Sequence, residues 1–358
     1  MGMRSGPQLL VFPAYLNNAF LNLLQLAPAA GGFQIRGAHT YDDLMRGLAD
    51  LGRGDIVHLH WTTPIAQQAQ SYADALSRVR RLDRALRGVR SRGGKLVWTV
   101  HNRLPHELTF RELEIRLLRV IADSADAVHI MAPHTPEAIG DVVSLDPRRI
   151  RQIPHPSYEG VYDTSVTRSD ARASFGLTDG DTAALFLGQI RPYKGVAALA
   201  AAAAEADARR KNDLVLMLAG AVKEMSRADF AASLPSGMRT VTQLAFVADA
   251  DIARWFRAAD VACFPYRAIL NSGSVHLAAT FRVPVILPAD PGLRAQFGDQ
   301  RWVAFFDPED PTDSLAELLA TDPFASVTDA DFDDFLAPIS PWDVSRAYAD
   351  LLAELSAA

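Results

Sequence analysis

The chain has 358 residues, 49% apolar and 22% charged, with a formal charge of −6 and a single cysteine, Cys263. That length suits two domains of ~100–200 residues, each able to bury its own core. The negative balance argues against a dedicated nucleic-acid binder, and one cysteine excludes an intrachain disulfide framework or a cysteine metal site. No run reaches the ~18 uncharged apolar residues of a spanning helix, and Met1–Pro7 has no signal-peptide core, so a cytoplasmic protein is expected, at most peripheral to the inner face of the membrane.

Short β-branched or apolar runs alternate with longer helical stretches, the pattern of βα units feeding a parallel sheet, so the class is α/β. The first half reads as strands at Gln8–Phe12, Ile56–His60, Leu96–His101, Ala127–Ala132 and Ile150–Ile153. Helices fall at Asn18–Leu26, Thr40–Leu51, Ala66–Ser91 and Leu108–Ser124. Pro154–Ser169 has turn formers and no apolar period, and reads as a linker. The second half reads as strands at Ala183–Gly188, Leu214–Ala219, Arg239–Gln243, Val261–Phe264, Val283–Leu287 and Val303–Phe306. Its helices fall at Val196–Asp207, Asp249–Ala259, Ser274–Phe281, Thr312–Leu319 and, last, Asp343–Ser356. Two Rossmann-like lobes follow, 1–158 and 163–340, with ligands at the carboxyl ends of the strands in a central cleft. Periodicity alone leaves the lobe of the final helix, within 341–358, open.

Four constellations carry possible chemistry. Gly188-Gln-Ile-Arg191-Pro-Tyr-Lys194-Gly195 joins a strand end to a helix: Arg191 can grip a diphosphate bidentately and Lys194 as a point charge, or both are solvated surface cations. Pro265-Tyr266-Arg-Ala268-Ile-Leu-Asn271-Ser272-Gly273-Ser274 also joins a strand to a helix. Its free backbone N–H groups can hold the same diphosphate with Ser272, Gly273 and Ser274, or the serines are plain N-caps. Tyr266 and Asn271 fall at the donor sugar or the cleft.

Trp98-Thr-Val-His101-Asn102-Arg-Leu-Pro-His106-Glu107 ends a buried strand in titratable groups. His101 can face the cleft as a proton acceptor, or it and Asn102 cap the next segment. His58 and His129 alternate with apolar neighbours and read as satisfied core histidines, whereas His60 and His134 fall nearer the rim. The histidines lack the i, i+4 spacing of a zinc pair and a nearby acidic partner, so no metal is assigned. Finally, eight cations between Arg78 and Lys95 face a single acid, Asp83, on a helix whose apolar face packs inward. That basic face suits an anionic membrane surface, or is simply solvated.

In order and content these pieces resemble the GT-B glycosyltransferases, particularly the bacterial group around family 4 that builds exopolysaccharides and glycolipids. The likeness rests on Gly188–Gly195, Ala258-Ala-Asp-Val-Ala-Cys-Phe-Pro265, Val283-Pro-Val-Ile286 and Trp98–Glu107. It implies a nucleotide-diphosphate sugar as donor (UDP- or GDP-), no cofactor, Arg191 and Lys194 on the diphosphate, and the nucleobase near Phe246 and Val247. It also implies a last helix that crosses back to the first lobe, and a glycan or lipid-linked saccharide acceptor. The chain departs from the family where two glutamates usually stand eight positions apart, at Ile269 and Leu277 here, and where a glycine-rich first loop is replaced by Phe12–Phe20. Asn17 and Asn18 of that loop, with His60 and Trp61, are expected to face the acceptor. Retention of anomeric configuration is therefore not implied, and inversion would need a base from His101, Glu107 or His134. Two alternatives stay open: a nucleotide-sugar epimerase or hydrolase of the same fold, and a catalytically silent nucleotide-sugar-binding partner.

Overall fold

The computed structural model describes residues 6–105, 107–267 and 269–358; His106 and Ala268, within two of the constellations above, lie outside the described residues. The chain forms two compact units, Met1–Pro156 with Ile339–Ala358, and Ser157–Pro338.

The first unit is built on six parallel strands: β1 (Gln8–Phe12), β2 (Gln34–Gly37), β3 (Ile56–Leu59), β4 (Lys95–Thr99), β5 (Ala127–Ile130) and β6 (Ile150–Gln152). Their order is β2-β1-β3-β4-β5-β6, so the connections reverse direction between β1 and β3. All four residues of β3 and of β5 are buried, as in a parallel strand covered on both faces, although each includes one histidine, His58 and His129. β2 adds a strand to the sequence reading: Gln34 and Arg36 deny it an apolar alternation, which an exposed edge strand does not need. The helix read over Ala66–Ser91 is two helices, Thr63–Ala66 and Tyr72–Ser91, because Ser71 caps the second by accepting from the Asp74 N–H.

The final helix, Pro341–Ala357, packs on this unit. Ser345 Oγ accepts from the Ala27 N–H at 2.8 Å and donates to the Leu24 carbonyl at 2.9 Å, and Ser356 Oγ donates to the Gly54 carbonyl at 2.7 Å.

The second unit carries β7 (Thr182–Leu187), β8 (Leu214–Ala219), β9 (Thr240–Gln243), β10 (Val261–Cys263), β11 (Val285–Pro288) and β12 (Val303–Phe306), all parallel. The order β12-β11-β10-β7-β8-β9 places the reversal between β7 and β10. Every residue of β8 is buried. The stretch read as a linker to Ser169 ends sooner, because Thr167 caps a helix over Arg168–Ser174. That helix is anchored by Arg172, which is 2% exposed and donates to the carbonyls of Ala258, Thr178 and Asp181 and to Asp260.

Candidate functional site

In the second unit, the loops after β7 and β10 leave the sheet on either side of its reversal point, where an open α/β sheet has its crevice. They touch. Arg267 N–H donates to the Tyr193 carbonyl at 3.0 Å, and a β-carbon on Gly195 (φ +69°) would stand 2.1 Å from the Pro265 carbonyl oxygen. The loop after β8 closes the other flank. Ile190 N–H donates to the Ala221 carbonyl, Lys223 N–H donates to the Ile190 carbonyl, and a β-carbon on Gly220 would lie 1.8 Å from the Gly188 oxygen.

Lys194 Nζ sits 3.8 Å from the centroid of the Tyr266 ring and 5.5 Å from that of Tyr193. Burial, helped by the Arg191 charge, holds this amine below its ordinary value, and among the described residues no carboxylate pairs with it. Tyr266 is itself buried, its hydroxyl pushed up to about 12 by burial, and it reaches the Ser274 hydroxyl at 3.4 Å. Ser272 is the N-cap of the helix Gly273–Thr280 and accepts from the Val275 N–H, so its hydroxyl serves the cap. Arg191 is salt-bridged to Glu224 at 2.8 Å and also donates to Gln189 Oε1 at 3.1 Å. Glu224, which no sequence motif marks out, holds a left-handed φ of +68°. Asn271 is partly exposed beside Ser272, Phe246 is 76% exposed, and Val247 is buried.

In the first unit, the ends of β3 and β4 carry two rungs of a ladder. His58 lies on β3 with His60 just past its end, and Thr99 ends β4 with His101 two residues beyond, so the chain that leaves each strand carries one more polar side chain. His58 Nε2 meets Thr99 Oγ1 at 2.6 Å, and His60 Nδ1 meets His101 Nε2 at 2.9 Å. The lower rung extends to Tyr348 Oη on His58 Nδ1 at 2.5 Å, to His129 Nδ1 on Thr99 Oγ1 at 2.9 Å, and to the Ile153 carbonyl on His129 Nε2 at 2.9 Å.

A carbonyl only accepts, and that settles every proton in the chain. His129 Nε2–H donates to Ile153, so its neutral Nδ1 accepts from the Thr99 hydroxyl; Thr99 accepts from His58 Nε2–H; His58 Nδ1 accepts from the Tyr348 hydroxyl. The neutral state follows from burial, which drops His129 to about 4 and, with neighbouring imidazoles, holds His58, His60 and His101 well below the ordinary 6.5. His58 and His129 are thus satisfied core histidines.

His60, expected nearer the rim, is 3% exposed, because the His58 ring at 3.9 Å and the edge of Phe20 cover it. His101 stacks on Trp61, with centroids 4.0 Å apart and planes 16° apart, and Tyr15 leans on Trp61 at 5.5 Å. Asn18 is occupied as a helix N-cap, accepting from the Leu21 N–H, whereas Asn17 is exposed. His134 starts the short helix Thr135–Ala138 on β5's end, and Glu107 is exposed. Beside His101 lies a pocket of about 170 Å³, whose lining includes Trp61, Trp98 and Leu104. Its Thr62 wall is held by Glu114, a fully buried carboxyl that accepts from Thr62 Oγ1 and from Gln67 Nε2 and is raised by burial. Tyr348, Thr99, Glu114 and Phe20 had no local signal beyond apolar burial, since their partners lie as many as 290 residues away in sequence.

The basic stretch is less free than its composition implies. Arg78 pairs with Asp74 and Arg87 with Asp83, Arg92 donates to the Leu48 and Leu51 carbonyls, and Lys95 belongs to β4. Arg80, Arg84 and Arg90 project into solvent. Among the described residues no helix is long and apolar enough to cross a membrane, and no three His, Cys, Asp or Glu groups are arranged to hold a metal ion.

Residues 181–321 match the protein family described as glycosyl transferases group 1. Among solved structures, sucrose-phosphate synthase from Thermosynechococcus elongatus superposes with a TM-score of 0.71 at 16% identity, covering 98% of this chain and 99% of that one. HepE from Anabaena, in complex with UDP and glucose, gives 0.69 at 13% identity over 98% and 100%. A glycosyltransferase from Rickettsia africae gives 0.64 at 11% over 99% of both chains. No curated protein matches the chain significantly by sequence. The chain therefore has the GT-B glycosyltransferase fold, and through residues 181–321 it resembles the glycosyl transferases of group 1.

Proposed function

We propose that the protein is a glycosyltransferase that takes a hexose from a nucleoside diphosphate sugar and passes it to a saccharide or lipid-linked saccharide. The observation that carries this reading is Lys194: a largely buried ammonium lies against the Tyr266 and Tyr193 rings with the Arg191 charge nearby, and among the described residues no carboxylate pairs with it, on the loop after β7 that touches the loop after β10. An anion there would supply the countercharge that the fold withholds. Arg191 supplies a second cation and the start of the helix Gly273–Thr280 a third favourable field for the leaving diphosphate, so the reading assigns no metal. The base hangs from Phe246 and Val247. HepE, whose structure holds UDP and glucose, and the group 1 match support the donor class.

The acceptor is assigned to the first unit, where His101 is neutral and able to take a proton from an attacking hydroxyl. Glu107 and His134 are the remaining candidates for that base, and Asn17 joins His60 and Trp61 among the acceptor contacts. The projecting Arg80, Arg84 and Arg90 would hold the protein to an anionic membrane carrying a lipid-linked acceptor, at roughly 1 kcal/mol per cation near the surface. Replacing those three with glutamine should release the protein from anionic vesicles; undiminished binding would remove the membrane from the reading.

The deciding experiment is a thermal-shift screen against UDP, GDP, dTDP, CMP and ADP. A ligand at 100 times its dissociation constant adds about 2.7 kcal/mol of stability. One diphosphate should shift the protein, and the Arg191→Ala, Lys194→Ala double variant should lose that shift. No shift with any of them, or an equal shift in the double variant, overturns the donor site.

A further inference from the structure

The pocket beside His101 has a composition that selects its occupant. Its volume of about 170 Å³ is that of a single six-membered ring, close to the ~150 Å³ apolar cavity that takes up benzene. Trp61, Trp98, Leu104, Pro105 and Leu118 give it apolar walls, suited to the C–H face of a pyranose, and Thr62, Thr63 and Asn102 add groups for hydroxyls. His60 and His101, which also line it, are neutral. Arg103 is then the one charged side chain among the described residues of the wall.

Arg103 already presents its guanidinium to a carboxylate in the forked manner. Nε donates to Asp141 Oδ1 at 3.1 Å and Nη2 to Asp141 Oδ2. Asp141 does not line the pocket. Both side chains are about half exposed, at 45% and 59%, so solvent screens the pair and it yields to a better-placed anion. Nη1 is not used in that pair and is available to a further acceptor.

We infer that this pocket binds a saccharide ring carrying a carboxylate, a uronic acid unit, as the accepting end of the acceptor, with the ring against Trp61 and the carboxylate on Arg103. The inference rests on the acceptor half of the transfer proposed above and names its substrate class.

The test is a calorimetric titration of the full chain with methyl glucuronide, methyl glucoside and glucose 6-phosphate, each with and without UDP. Methyl glucuronide should bind at least tenfold more tightly than methyl glucoside and more tightly than the phosphate. Arg103→Gln should erase the difference, Arg103→Lys should keep part of it, and Asp141→Asn, which removes the competing carboxylate, should tighten glucuronide a few-fold. Trp61→Ala should weaken both glycosides alike. Equal binding of the two glycosides, preference for the phosphate, binding of none of the three, or a preference that survives Arg103→Gln overturns the inference. Because UDP binding is read in the same titrations, failure of the pocket and failure of the donor site are told apart.

Discussion

Gly195 lies so close under Pro265 that no side chain fits between them: a β-carbon would come within 2.1 Å of the Pro265 carbonyl oxygen, and the glycine holds φ at +69°. Two loops 70 residues apart are brought to van der Waals contact by that one missing methyl group. Gly195→Ala should therefore cost about 1–3 kcal/mol from the left-handed backbone alone, more if the loops must part, and should weaken nucleoside diphosphate binding at least tenfold. Gly180, where a β-carbon meets only Thr178 Oγ1 at 3.8 Å, is the control, and Gly180→Ala should leave the melting temperature and the UDP shift unchanged. A Gly195→Ala protein with the control's binding would mean that the two loops do not hold one ligand.

Tyr348 and His58 tie the final helix to the centre of the first sheet. Tyr348→Phe keeps the ring and removes only the donor, leaving His58 Nδ1 buried without its partner, so it should destabilise the first unit by about 1–3 kcal/mol. It should also free the His58 tautomer, visible as a changed pair of imidazole ¹⁵N shifts. Thr99→Val, which cuts two bonds of the same chain, should cost more than Tyr348→Phe. Urea titrations monitored at Trp98 and Trp61 would show it.

Much of the frame was legible because parallel strands are continuous apolar runs: the bounds read for β1, β8 and β12 are those observed. What escaped was short or polar. β2 exposes three of its four residues and so has no pattern to read, and the seven-residue helix Pro291–Phe297 is shorter than two full periods of a helical stripe. The loops at Gly188–Gly195 and Pro265–Ser274 stood out because each links an apolar run to a helix start, a local feature. The pairings that give the histidines their states did not. The contact of His60 with His101 depends on the register that sets Leu59 beside Trp98, and that of His58 with Tyr348 on where a helix 290 residues later comes to rest. Single-sequence periodicity contains neither distance. It also made the Arg78–Lys95 cations look equivalent, although the fold commits several of them to carbonyls and acids.

Acid should unfold the first unit before the second. A histidine whose folded value is depressed stays neutral in the fold but charges in the unfolded chain, so its stabilisation is complete above 6.5 and is lost as the pH falls toward the folded value. His129 and His276 are both lowered to about 4 by burial, each a loss of about 3 kcal/mol between pH 6.5 and 4. The first unit adds His58, His60 and His101, all well below 6.5, whereas His276 stands alone among the described histidines of the second. Glu114, raised by burial, works the other way but is one group against four. Tryptophan fluorescence and circular dichroism between pH 7 and 4.5 should show unfolding with net proton uptake, starting at Trp61 and Trp98. Simultaneous loss of both units, or loss of the second first, would contradict it.

The Arg191–Glu224 pair partly neutralises the cationic loop after β7. Glu224 reaches Arg191 at 2.8 Å from a left-handed backbone, so the carboxylate occupies the cation that a diphosphate would need. Arg191 keeps 15% of its side chain exposed and Glu224 49%, so the bridge is partly screened and gives way to a doubly charged ligand. Glu224→Gln retains the side-chain shape and removes the competing charge, and should raise affinity for the bound nucleoside diphosphate about three- to tenfold while leaving affinity for the uncharged nucleoside unchanged. Lys194→Met should act in the opposite sense, lowering diphosphate affinity at least tenfold. It should also raise thermal stability without ligand, because it replaces a largely buried ammonium, which no carboxylate pairs with among the described residues, by an apolar chain of similar length. A stabilised protein that no longer binds nucleotide is the signature of a residue kept for its ligand, whereas a Lys194→Met protein that loses stability and keeps its UDP affinity would return the lysine to the core.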